Sequence, residues 1–128
     1  MPRYDRWAVP GGPMALVPSE HNADYCRATW EQLDFLARLH ALRRIILITH
    51  HGCAAYGARL GQDPESCLPA QLADLYTAGE ALREWFSAVR VETYLAMREG
   101  GRISFYTADD MISGHYLPWL PWQEERTP

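Results

Sequence analysis

The side chains of this sequence best suited to chemistry are His50 and Cys53, an imidazole and a thiol three positions apart. They stand at the end of the run Arg44-Ile45-Ile46-Leu47-Ile48-Thr49. Neutral imidazole and thiolate are donors that Zn2+ accepts in tetrahedral sites, and a catalytic zinc keeps one position for water. Zinc lowers that water's pKa to about 7, so a bound hydroxide would be the reactive species. Two protein ligands do not hold zinc tightly, and the third is left open among Cys26, His21, Asp109 and His115. His51 faces the other side of the strand end. The plain alternative is that His50 closes the strand end through hydrogen bonds and Cys53 is a small buried residue, as free cysteines often are. A thiol role for Cys53 would show as reactivity toward alkylating reagents.

These residues need an element to position them. Four consecutive large aliphatics, three of them β-branched, predict a strand buried on both faces, as the middle of a parallel sheet requires. Ligands of open α/β sheets bind at the carboxyl edge, where His50 and Cys53 emerge. Upstream, four prolines and Gly11-Gly12 within the first twenty residues leave room only for a short strand at Trp7 to Val9 and a turn. Gly11 and Gly12 read either as a substrate-facing turn or as an ordinary strand-to-helix loop. From Asp24 to Leu42, Trp30, Leu33, Leu36 and Ala37 recur at helical spacing, with Asn22 or Asp24 available to cap. This β-α-β unit, with a right-handed crossover, brings the helix's first turn, with His21 and Cys26, to the edge that carries His50 and Cys53. Cys26 is therefore the preferred replacement thiolate, against the competing reading of a buried apolar group. Asp5 falls at the opposite edge.

Residues 57 to 68 read as a loop in which Cys67 is inert. Pro69 to Arg98 reads as one long helix with a core stripe from Leu72 to Met97, and Arg102 to Thr107 as a strand after Gly100-Gly101. The order β-α-β-α-β predicts a single α/β domain over residues 1–128, three-layered, with a mainly parallel sheet flanked by helices. The segment His115-Tyr116-Leu117-Pro118-Trp119-Leu120-Pro121-Trp122 is aromatic and broken by proline, so it is expected to pack on a neighbouring subunit or over its own core.

The strand, the His-x-x-Cys and the small residues after it resemble the second half of the zinc site of β-class carbonic anhydrases, with Thr49 and Ala54 where that family has glycines. The stretch Tyr4 to Gly12 is similar to the family's short strand ending in an Ala-Gly-Gly type of turn, and the resemblance spans roughly residues 4 to 112. The family's other half-site, a Cys-x-Asp-x-Arg run, has no counterpart here, since no cysteine precedes Cys26. The resemblance implies zinc, with His50 and Cys53 as ligands and Cys26 in reserve, and a metal-bound hydroxide attacking carbon dioxide or a similar small molecule. It equally admits a non-catalytic relative serving as an oligomeric small-anion-binding or scaffold protein. A homodimer or higher oligomer is expected, because a chain lacking an inner strand leaves edges and apolar faces uncovered.

Composition sets the outer bounds. A chain of 128 residues with 48% hydrophobic and 22% charged side chains is an ordinary globular composition. The net charge of −4 comes with scattered basic residues, all arginine, which form no stripe to track a phosphate backbone, so nucleic acid is excluded as a partner. Apolar runs are too short to span a bilayer, and three cysteines at no framework spacing with no leader-like start point to a reducing cytoplasm.

Overall fold

The computed structural model describes residues 4–112. It is a mixed α/β fold with four helices and a sheet of three strands. Helix α1 spans Ala23–Leu39, strand β1 Arg44–His50, helix α2 Ala54–Leu60 and helix α3 Leu68–Trp85. Strand β2 spans Arg90–Glu99, strand β3 Arg102–Thr107 and helix α4 Ala108–Ile112, with short 3-10 turns at Gly12–Leu16 and Pro64–Cys67.

Three expectations are corrected. Trp7 to Val9 is not a strand. The stretch from 57 to 68 is not a loop throughout: α2 continues to Leu60, is closed by Gly61 at φ 63, and is followed by the 3-10 turn that Pro64 opens. The long helix ends at Trp85, because Val91, Thr93, Leu95 and Met97 alternate on one face of a strand that has two partners. β2 is the central strand, parallel to β1 with Ile45 opposite Val91, and antiparallel to β3 with Leu95 opposite Tyr106. The sheet is therefore mixed, and its parallel crossover runs through α2 and α3.

One face of the sheet holds the core. Ile45 and Val91 meet Leu33 of α1, Leu82 of α3 and Leu16 of the first 3-10 turn. Leu95 and Met97 meet Leu68 and Leu72 of α3 and Met111 of α4. α1 forms where its apolar positions recur every three or four residues, burying Cys26, Thr29 and Leu33. Asn22 occupies its N-cap position, but its side chain serves the preceding loop instead. Its Oδ1 accepts from Ser19 N at 2.7 Å and Ser19 Oγ at 2.9 Å, and its Nδ2 donates to Val17 O at 3.2 Å.

The other face is open among the described residues, which cover β1 on one side alone. Ile46 and Ile48 are 45% and 47% exposed, and Ile103 and Phe105 of β3 are 63% and 58% exposed. At the foot of this face Glu92 accepts from Arg44 Nε and, at 2.7 Å, from the Tyr94 hydroxyl, with Arg90 at 3.8 Å. The Arg44 hydrogen bond, then that from Tyr94, holds the Glu92 carboxyl down at about 2 against its usual 4.5. A carboxyl lowered in the folded state stabilises it above its ordinary pKa, and the effect disappears as pH falls through the folded value. The urea midpoint of the wild-type chain should therefore exceed that of Glu92→Gln near neutrality, and the two should converge between pH 4.5 and about 2. A gap that persists unchanged at acid pH would assign the effect to packing.

Candidate functional site at the carboxyl end of β1

The pleat of β1 decides what its end can do. Thr49 points to the helix-covered face and is 3% exposed, whereas His50, one residue on, is exposed on the open face opposite Ala96. His51 extends the ladder by donating its N–H to Ala96 O at 3.0 Å. Gly52, at φ 75, then turns the chain back under α2. There Cys53 is 4% exposed and packs with Tyr56 and Cys67, against Met14 and Ala70.

The two expected zinc ligands are thus separated by alternation. The His50 imidazole stands on the open side with Nδ1 3.3 Å from His51 O, and the Cys53 thiol is enclosed on the helix side. Cys26 is buried in the first turn of α1, outside the Cys53 cluster, where desolvation raises its thiol pKa against a lowering contact from Trp30. Among the described residues no group of three or more His, Cys, Asp or Glu side chains converges as a metal site. The set His50, Cys53 and Cys26 is therefore not assembled, and no chemical step can be derived through zinc. Of the other candidates, His21 is exposed, Asp109 is exposed in α4, and His115 lies outside the described residues. Asp5 does lie at the amino edge, 2.5 Å from His40 Nδ1 just beyond the end of α1.

Cys67 is more central than a loop reading allowed. It packs in the Cys53 cluster and holds its thiol 3.4 Å from Asp63 O, and burial, then Asp63, then Cys53, raises its pKa. A thiol kept protonated in this way is a poor nucleophile. Tyr56 closes the cluster and donates to Asp74 Oδ2 at 2.7 Å, and burial followed by that carboxylate raises its phenol.

The glycine turn reaches the same edge. Gly11 and Gly12 both have positive φ, and a Cβ on Gly12 would stand 3.0 Å from Ile48 O. Only glycine lets this turn lie against the β1 backbone in that conformation.

Gln71 of α3 is the residue that sequence reasoning missed. It is fully buried, and its Nε2 donates to Thr49 Oγ1 at 3.0 Å and to His50 O at 2.6 Å. Two acceptors on one nitrogen fix the orientation of the amide, and they leave Oε1 buried with no hydrogen-bond partner among the described residues. Such an acceptor costs about 1–3 kcal/mol unless a donor reaches it. The signal was present in the sequence: Gln71 falls on the apolar stripe Leu68, Leu72, Leu75, Leu82, where a carboxamide needs polar partners.

Comparison with known proteins adds ancestry without a named activity. The chain is 28% identical over 102 residues to an uncharacterized protein of Rickettsia conorii, covering 76% of this chain and 54% of that protein. It is 26% identical over 101 residues to an uncharacterized protein of Rickettsia bellii, covering 76% and 61%. The chain thus matches little more than half the length of these relatives. No family model matches the chain, and no solved structure matches it.

Proposed function

We propose that this chain is a non-catalytic relative of the carbonic anhydrase fold that binds a small oxyacid, such as bicarbonate, at the carboxyl end of β1. The observation that carries the reading is the Gln71 carboxamide, whose buried Oε1 has no donor among the described residues while Nε2 is committed to Thr49 and His50. Bicarbonate carries both a hydroxyl to donate to such an oxygen and a negative charge. The Gly11-Gly12 turn supports the reading because it brings backbone close to the same strand end. The separation of His50 from Cys53 counts against the zinc lyase that the His-x-x-Cys spacing suggests. The finer form of the fold, three layers on a mainly parallel sheet, would require a cover for the face that Ile46, Ile48, Ile103 and Phe105 leave open.

Metal analysis and bicarbonate titration of the full chain, purified without added zinc, test this together. Zinc far below one per chain is expected, with saturable shifts of the backbone amide resonances of Thr49 and His50 on adding bicarbonate. Gln71→Leu should abolish those shifts while leaving the far-ultraviolet circular dichroism intact. Near one zinc per chain, lost in Cys53→Ser, would establish the lyase reading instead.

A further inference from the structure

The open face of the sheet has a specific shape and charge. β1 contributes Ile46, Ile48 and His50, β2 contributes Tyr94 and Ala96, and β3 contributes Ile103 and Phe105. The register sets Phe105 beside Ala96 and Ala96 beside His50, and sets Ile48 beside Tyr94, so these side chains form a continuous apolar surface. Arg44, Arg90 and Arg98 share this face with the single carboxylate Glu92, so its rim is net positive. β3 is also an edge strand, with one side of its backbone unpaired among the described residues.

We propose that residues 115–122 of this same chain, His115-Tyr116-Leu117-Pro118-Trp119-Leu120-Pro121-Trp122, dock on this face and form its missing layer. The first argument is reach. α4 follows the edge strand β3 directly and is only five residues long, and its Met111 packs with Leu95 and Met97 on the covered side. Residues 113–118 can span about 20 Å when extended, comparable with the ~20 Å between layers on opposite faces of one sheet, so Trp119 and Trp122 come within reach of the open face. Gly114 gives the freedom to turn there.

The second argument is chemistry. Tyr116, Leu117, Trp119, Leu120 and Trp122 are large apolar side chains within seven positions, and a patch of exposed isoleucine and phenylalanine is the surface that would remove them from water. Pro118 and Pro121 exclude a regular helix and a regular central strand, which leaves an irregular cover lying over the sheet. The third argument is charge. Glu124 and Glu125 follow the aromatic run with only Arg126 beside them, and they complement the arginine-rich rim. A second copy of the same face would instead oppose arginines to arginines.

Carbene footprinting of the full-length monomer, read by mass spectrometry, tests the assignment, with oligomeric state followed by light scattering. Ile46, Ile48 and Phe105 should be protected relative to the exposed references Tyr25 and Leu39. In Trp119→Ala/Trp122→Ala their labelling should rise severalfold, and in the reciprocal variant Phe105→Ser labelling of Trp119 and Trp122 should rise. Trp119→Phe/Trp122→Phe should retain the protection. Heavy labelling of the face in the wild-type monomer overturns the proposal, as does protection that none of these substitutions changes. Protection that appears only as the chain dimerises also overturns it and assigns the face to a second copy. These outcomes are independent of bicarbonate binding at Gln71.

Discussion

Leu95→Ala should destabilise the protein by about 3 to 4 kcal/mol, within the ~2–5 kcal/mol found when a fully buried leucine is truncated. Leu95 has no exposure, lies on the central strand, and packs among Leu68, Leu72, Met97 and Met111. It therefore joins β2 to α3 and α4 at once, and the cavity left behind would be walled by three elements that cannot all collapse into it. Total stabilities of domains this size are about 5–15 kcal/mol, so the loss is a large fraction of the whole. Urea denaturation followed by circular dichroism measures it, with Phe35→Ala as the reference: Phe35 is 63% exposed on α1 and should change the midpoint little. A cost below about 1 kcal/mol for Leu95→Ala would mean that the second core cluster is not closely packed.

Gly57→Val should be nearly as damaging, by about 2 to 3 kcal/mol through overpacking. A Cβ at this position would stand 2.8 Å from Pro64 Cγ and 3.0 Å from Gln62 O, and the second of these is backbone with no rotamer to change. α2 and the Pro64–Cys67 turn close against each other across Gly57, and that closure encloses Cys53, Tyr56 and Cys67. Beyond the shift in stability, the variant should admit thiol reagents to Cys53 and Cys67 under native conditions, where the wild-type chain reacts slowly. Reaction with Ellman's reagent gives both rates. Equal rates in the two proteins would show that the α2 hairpin is not what shields the thiols.

How far the residues announced this arrangement differs from element to element. α1 and β3 carry clear periods and β1 a continuous apolar run, so all three could be placed from the chain alone. β2 could not, because Leu82, Phe86 and Val89 hand on to Tyr94 and Met97 at three-, four- and five-residue steps, so a helical stripe continues across the real boundary. The alternation of Val91, Thr93, Leu95 and Met97 was equally present, and tertiary pairing with β1 and β3 selected it. At β1 the Ile-Ile-Leu-Ile run is apolar at every position, and such a run cannot tell whether one face or two has a covering layer. The geometry at the end of β1 was hidden for a related reason. His50 and Cys53 are close in sequence, but the pleat sends the first to the open face and the Gly52 turn sends the second inward. The carboxyl edge was legible because it follows from the direction of β1 alone, whereas Asp5 was assigned to the amino edge through a first strand that does not form.

The two ladders of β2 differ in how much chain each must close. Its hairpin with β3 joins neighbours through Gly100 and Gly101, whereas Ile45 meets Val91 only across about 45 intervening positions. Short closures form early and cheaply in entropy, and distant ones wait for helices to condense around them. β1, with Gln71 clasping its end, is thus expected to be the last strand to find its place. The carboxyl edge therefore exists only in chains whose assembly is complete.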